Sequence, residues 1–185
     1  MLTGNYLIAG GSGLMGNTAL RRLVRQEEVK HLACTIHKNL PNIQYPGVSY
    51  SPGDLTDLDV CYKAVEDIDY VFMFAGILST SPVLAKDPIR HINQNLRMNA
   101  NMLEASYFSG VKKFVWLGST TGYRQTPHTL CEEEMNVGDP PDNYFSVGHM
   151  SRYTETMCRA YATKMPKKMT TIVLRPSTIY GEYET

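Results

Sequence analysis

Near the N-terminus, Gly10-Gly11-Ser12-Gly13-Leu14-Met15-Gly16 follows an apolar run, Tyr6-Leu7-Ile8-Ala9, and precedes a helical pattern. Gly11, Gly13 and Gly16 satisfy G-x-G-x-x-G, and Gly10, Gly13 and Gly16 also satisfy G-x-x-G-x-x-G. The chemistry this spacing suits is pyrophosphate binding. A strand has to turn sharply into a helix, and backbone amides must reach the phosphates with no Cβ between them. The helix start then supplies unpaired N–H groups and a partial positive charge. A plain tight turn would need glycines but not these flanks, so the loop predicts a dinucleotide site on Gly10, Gly13, Leu14, Met15 and Gly16. A second group with chemical content is Gly118-Ser119-Thr120-Thr121-Gly122, a hydroxyl-rich turn directly after an apolar segment.

The elements that must position these groups alternate along the chain. Residues 5–9, 29–36, 48–51, 70–75, 111–117 and 170–174 read as strands, the fourth almost wholly apolar as befits burial on both faces. Residues 14–26 form a helical pattern with Leu20, Leu23 and Val24 on its apolar face. Asp54-Leu55-Thr56-Asp57 opens a helix to about residue 65, with Thr56 or Asp57 as its cap. A long helix over 87–109 places Ile89, Ile92, Leu96 and Leu103 on one face. A last helix carries Met150, Tyr153, Thr154, Met157, Cys158 and Tyr161 as a stripe. Residues 41–46 and 120–144 read as loops, and a loop as long as the second is commonly functional. This alternation predicts a single domain over 1–185, an α/β fold of the Rossmann-like, doubly wound kind, with a parallel sheet and helices on both faces.

In such a sheet the ligand lies at the carboxyl ends of the strands. After the second strand, a fold that prefers NAD places an Asp or Glu on the adenosine ribose, yet no acid occurs between Glu28 and Asp54. His37 and Lys38 stand there instead and could face a 2′-phosphate, which favours NADP, with NAD the alternative; a solvated basic turn is the other reading of Lys38. Asp54 and Leu55 follow the third strand, where a carboxylate could meet the adenine amino group or cap a helix. Phe74, Ala75 and Gly76 follow the fourth and would let backbone approach the cofactor. Ser119 lies after the fifth, where a substrate belongs.

Composition narrows the class. Eighteen Lys and Arg balance eighteen Asp and Glu, so no net field favours nucleic acid or an anionic membrane. No apolar stretch approaches a membrane span, and no basic leader precedes the first apolar run. Cys34, Cys61, Cys131 and Cys158 form no C-x-x-C pair and no metal-like spacing, which reads as reduced thiols of a cytoplasmic protein without a metal site.

Taken together, the glycine loop, Gly53-Asp54-Leu55-Thr56-Asp57, Asp69-Tyr70-Val71-Phe72-Met73-Phe74-Ala75, Asn95 with Asn101-Met102-Leu103-Glu104-Ala105, Gly110-Val111-Lys112-Lys113-Phe114-Val115-Trp116 and Leu174-Arg175-Pro176-Ser177-Thr178-Ile179-Tyr180-Gly181 resemble the extended short-chain dehydrogenase/reductase family, the NAD(P)-dependent nucleotide-sugar epimerases and dehydratases. The resemblance covers essentially the whole chain. It implies an oxidoreductase, epimerase or dehydratase that moves hydride on a nucleotide sugar. It implies that Ser119 hydrogen-bonds the reacting sugar oxygen, that Asn95 stands beside the cofactor, and that Pro176, Ser177 and Thr178 meet the nicotinamide and substrate. Family members also commonly pair through two helices per copy, which implies a homodimer with a four-helix interface. For Asn95, a polar residue on a packed helix, an internal hydrogen bond to backbone fits as well as catalysis.

The resemblance breaks at the family's Tyr-x-x-x-Lys dyad, whose tyrosine moves a proton while its lysine lowers the tyrosine pKa. Alignment of the last helix puts Val147 and Ser151 at those positions. Tyr144, three residues upstream, and His149 are the candidates for the proton, with loop packing and a helix-start residue as their plain alternatives. Arg152 could supply charge, or simply pair with Glu155. The chain also stops at Thr185, before the C-terminal substrate lobe that such enzymes usually carry. A non-catalytic NADP(H)-binding sensor or regulatory subunit is therefore the alternative function.

Overall fold

The computed structural model describes residues 2–38, 40–41, 43–77 and 87–181. Residue 42 of the expected 41–46 loop and residues 182–185 lie outside these. Six strands are present: β1 (Gly4–Ala9), β2 (Val29–Ile36), β3 (Val48–Pro52), β4 (Tyr70–Met73), β5 (Lys113–Leu117) and β6 (Thr170–Leu174). They form one sheet in the order β3-β2-β1-β4-β5-β6, and every neighbouring pair is parallel. The order reverses between β1 and β4, and there the two halves of a doubly wound sheet leave a crevice at their carboxyl ends.

Among the described residues four α-helices connect the strands: α1 (Leu14–Leu23), α2 (Leu58–Ala64), α3 (Pro88–Phe108) and α4 (Phe145–Thr163). Strand side chains alternate between faces, so two cores result. On one face Tyr6, Ile8, Leu32, Cys34 and Ile36 pack with Leu20 and Leu23 of α1. On the other Leu7, Val71, Met73, Phe114 and Trp116 pack with Cys61 of α2, Met98, Met102 and Leu103 of α3, and Cys158 of α4.

Several expectations need correction. The helix opened by residues 54–57 is not among them: of its two cap candidates Asp57 is the N-cap, accepting from the Asp59 N–H at 2.9 Å, and the helix begins at Leu58. On α3, Ile89 is 62% exposed, whereas His91, Asn95, Met98, Asn99 and Met102 are buried. The first turns of α3 cross strand ends whose backbone groups need partners, so polar side chains take the inward face there. On α4, Tyr153 is exposed and the buried positions are Gly148, Ser151, Thr154 and Cys158. The cause is close approach: a Cβ on Gly148 would stand 2.6 Å from the Thr121 carbonyl oxygen, so only small residues fit that contact. The 120–144 loop contains three short 3₁₀ turns, at Thr120–Gly122, Glu132–Asn136 and Asp142–Tyr144.

Candidate functional site

The glycine loop closes over the switch point. Gly10 has φ +89°, a left-handed conformation that a side chain disfavours, and a Cβ on it would lie 2.6 Å from the backbone of Ala75 at the end of β4. The Gly10 and Gly11 N–H groups both donate to the Thr35 carbonyl at the end of β2, each at 3.1 Å. Gly16 lets α1 start against the loop, since its Cβ would sit 2.2 Å from the Gly10 oxygen. Gly13 is different. It is the N-cap of α1 and offers no side-chain cap, no acid follows in the first turn, and a Cβ there would meet only the Gly10 oxygen, at an ordinary 3.7 Å. The start of α1, at Leu14 and Met15, thus presents backbone donors and the positive end of the helix dipole on an open side.

At the ends of β2 and β3, His37 and Lys38 are exposed and their charges help hold Asp54 below the usual carboxylate range, so the three share one neighbourhood. The larger cause is local: Asp54 Oδ1 accepts from the Thr56 N–H at 2.9 Å and from Thr56 Oγ1 at 2.8 Å. Asp54 therefore caps the turn before α2. Leu55 is buried, and its carbonyl accepts from Asn101 Nδ2 of α3 at 3.2 Å.

At the end of β4, the Phe74 N–H donates to the Ala9 carbonyl at 3.0 Å. Asn95 pairs with the peptide of Ile77 at both ends: Oδ1 accepts from the Ile77 N–H at 2.9 Å, and Nδ2 donates to the Ile77 carbonyl at 3.1 Å. Of the two readings of Asn95, the backbone bond is what its amide makes. Gly76 lies against it, with a would-be Cβ 3.5 Å from Oδ1. Asn99 Oδ1 accepts from Trp116 Nε1 at 3.1 Å. Two asparagines of α3, Asn95 and Asn101, thus tie down the segments after β4 and β3. The family resemblance points to Asn95 as the residue beside the cofactor. Asn101 lies in a stretch that carries the same resemblance, yet the sequence assigns it no role, because its partner Leu55 is 46 residues away in the chain.

At the end of β5, Ser119 Oγ accepts from the Thr121 N–H at 3.1 Å and caps the following turn. The Gly118 N–H reaches the Leu174 carbonyl at 2.8 Å, so the turn after β5 and Pro176 after β6 leave the sheet side by side. Ser151 is buried and Val147 half-buried. Tyr144 is the N-cap residue of α4. At about 100° per residue, Tyr144 lies near the line of Val147 and Ser151, while His149 lies roughly opposite them. Consistent with that, His149 Nε2 stands 3.7 Å from Asp139 Oδ1 and its ring packs edge-on to Phe145. The structure brings Ser119 and the Gly148–Ser151 face of α4 together around Thr121 and directs His149 elsewhere.

The Arg152–Glu155 pair, the plain alternative for Arg152, is not formed. Arg152 Nε donates to the Gly122 carbonyl at 2.8 Å, and Glu155 takes a two-pronged bond from Arg175, both arms 2.7 Å. Arg175 Nη1 also donates to the Tyr123 hydroxyl and the Glu132 carbonyl, each at 2.7 Å, joining β6, α4 and the 123–134 loop. Among the described residues no group of three His, Cys, Asp or Glu could hold a metal ion, and no helix is long and apolar enough to cross a membrane.

Comparison with known proteins agrees with this arrangement. The chain is 27% identical over 185 residues to a 3 beta-hydroxysteroid dehydrogenase/Delta 5-->4-isomerase of Mycobacterium tuberculosis, covering 96% of this chain and 48% of that protein. It is 25% identical to the N-acetyl-alpha-D-glucosaminyl-diphospho-ditrans,octacis-undecaprenol 4-epimerase of Escherichia coli O157:H7, covering 96% and 50%. The chain thus spans about half the length of these relatives. Among solved structures, a UDP-glucose 4-epimerase superposes with TM-score 0.77 at 23% identity, covering 92% of this chain and 50% of that one. MoeE5, solved in complex with UDP-glucose and NAD, gives 0.79 at 22%, covering 98% and 57%. These structural likenesses establish the fold. The model of the NAD dependent epimerase/dehydratase family matches residues 6–185, and with its glycine loop at the switch point of a parallel sheet the chain belongs to that family.

Proposed function

We propose that this chain is the cofactor-binding part of an NADP-preferring oxidoreductase, epimerase or dehydratase acting on a nucleotide sugar. The observation that carries this reading is the loop at residues 10–16: it is closed over Ala75 where the strand order reverses, and it leaves Gly13 and the uncapped start of α1 open. That geometry fits a pyrophosphate bound through Gly13, Leu14, Met15 and Gly16. His37 and Lys38 would face the adenosine ribose and its 2′-phosphate, with Asp54 and Leu55 near the adenine. Phe74, Ala75, Gly76 and Pro176 would line the nicotinamide half. When bound, the nicotinamide supplies a carbon that takes or gives a hydride. Ser119 holds the reacting sugar oxygen: its Oγ already accepts from Thr121, which leaves its own proton to donate outward. Tyr144 is the better placed of the two proton candidates, since His149 faces Asp139.

The names of the relatives support a sugar substrate through the undecaprenol-linked 4-epimerase and a hydroxyl-to-ketone oxidation more broadly through the hydroxysteroid dehydrogenase. The same reading has two copies pairing through α3 and α4, whose outward apolar side chains include Ile89 and Tyr153, and a cytoplasmic location, in keeping with four free cysteines.

Fluorescence titration with NADPH and NADH, followed by a turnover screen of UDP- and GDP-sugars beside a 3β-hydroxysteroid, tests it on the full-length protein. NADPH binding at least tenfold tighter than NADH and turnover of a nucleotide sugar are expected. Binding of neither dinucleotide defeats the reading; binding without turnover of any candidate moves the protein to the sensor class. Gly13→Asp is the specific control. Space at that position is open, so the variant folds, but its carboxylate would stand against the pyrophosphate and weaken binding by about a hundredfold or more.

A further inference from the structure

We infer that His91 is a positioning residue of the cofactor site: its imidazole locks the Asn95 amide that holds the wall after β4. The inference rests on the cofactor reading above. His91 lies one helical turn before Asn95 on α3, both are buried, and His91 Nε2 is 3.3 Å from Asn95 Nδ2.

The hydrogen-bond accounting fixes the roles. Asn95 Oδ1 faces the Ile77 N–H, so Nδ2 must carry the amide hydrogens, one of which goes to the Ile77 carbonyl. The second Nδ2 hydrogen points at His91 Nε2, which can receive it only as a bare nitrogen of a neutral ring. Burial pushes the His91 pKa down and so favours that neutral form. An amide turned over by 180° would set oxygen against the Ile77 carbonyl and nitrogen against its N–H, and would leave the imidazole facing an acceptor. His91 thus adds a third bond to the amide orientation that the Ile77 peptide sets.

The contact path then runs to the phosphate loop. Asn95 grips Ile77 and abuts Gly76, and the Ala75 backbone is where a Gly10 Cβ would collide, at 2.6 Å. A loosened Asn95 therefore lets residues 75–77 move at the floor of the pyrophosphate site.

The test compares the wild type with His91→Phe, which keeps a ring but has no acceptor, and His91→Gln, which restores one. Two readouts are used: the NADPH dissociation constant, and hydrogen exchange of the Ile77 amide without cofactor. His91→Phe should weaken NADPH binding about tenfold and speed Ile77 exchange, because it strands a buried donor. His91→Gln should recover both to within about threefold. In an Asn95→Ala background the same substitutions should change neither readout further, since the group they act through is gone. Unchanged binding and exchange in His91→Phe, a Gln variant no better than Phe, or losses that multiply in the Asn95→Ala background would overturn the inference. Should His91→Phe not fold, His91→Ala replaces it in the same comparison. If the wild type binds no dinucleotide, the proposed function falls, and Ile77 exchange alone decides the His91–Asn95 link.

Discussion

Strands β5 and β6 present two apolar faces, and among the described residues only one of them is roofed. On one side Val71, Met73, Phe114 and Trp116 are buried beneath α3 and α4, with Val173 packed against them. On the other, Val115 stands in register with Ile172 and Leu117 with Leu174, while on β4 the same face is covered, Tyr70 being buried and Phe72 packed with it in the core under α1. Ile172 and Leu174 are 39% and 41% exposed, and neither core includes Val115, Leu117, Ile172 or Leu174. The two faces differ little in hydrophobicity. They differ in which connections cross them: α1 covers the β1–β2 part of one face, while α2, α3 and α4 share the other. The same alternation of side chains therefore builds a core on one side and an apolar surface on the other, and residue type alone does not distinguish them.

The largest effect that could break this comparison is a pair of truncations. Phe114→Ala opens a cavity in a closed core and should cost about 3–5 kcal/mol. Ile172→Ala removes surface rather than core and should cost under about 1 kcal/mol. Urea unfolding followed by circular dichroism measures both, and equal losses would show that the open face is covered in solution.

Thiol accessibility sharpens the comparison at intermediate scale. Burial pushes Cys34 up to about 11, and Cys61 and Cys158 up to about 12, which keeps them as thiols, whereas Cys131 is exposed. Under native conditions a disulfide reagent should label Cys131 alone. In a Cys131→Ser background, Leu174→Cys should label quickly and Val173→Cys at least tenfold more slowly. Matching rates at the two neighbouring positions would erase the distinction between the faces.

The smallest effect is the acid limb of stability, which should be common to both faces. The Glu134 carboxyl is held at about 2, first by the Cys131 N–H and then by Arg124 and His128. A carboxyl lowered in the folded state stabilises above its ordinary pKa of 4.5, and that contribution fades as pH falls toward 2. Glu134→Gln should flatten the decline between those values in the wild type and in both truncations alike. A decline of unchanged slope in Glu134→Gln would assign the acid sensitivity to other carboxylates.

The strands and the phosphate loop were legible because their signals are local. Alternation of apolar and polar stretches marks β–α units, and Gly16 answers a backbone contact with Gly10 and Gly11 and Gly10 a left-handed turn, both within the loop itself, whereas the Ala75 contact of Gly10 is remote. The buried face of α3 was not legible. Ile89 and His91 sit two residues apart, and hydrophobicity favours the isoleucine, yet the histidine faces inward because Ile77 needs partners through Asn95. The small-residue face of α4 was hidden for a similar reason: Gly148 follows from the closeness of Thr121, a contact made across 27 residues of chain between positions 121 and 148.

By itself the sequence determined the parallel α/β order, the glycine turn into α1 and the position of Ser119 after β5, since each depends on residues adjacent in the chain. Tertiary structure alone decided that Arg175, not Arg152, takes Glu155, that His149 turns to Asp139, and that among the described residues Ile172 and Leu174 lie on an exposed face of β6. Those outcomes depend on which distant group competes best for a limited space. Hydrogen bonds and close packing act over a few ångströms, so pairings between remote positions appear only once the chain has brought them together.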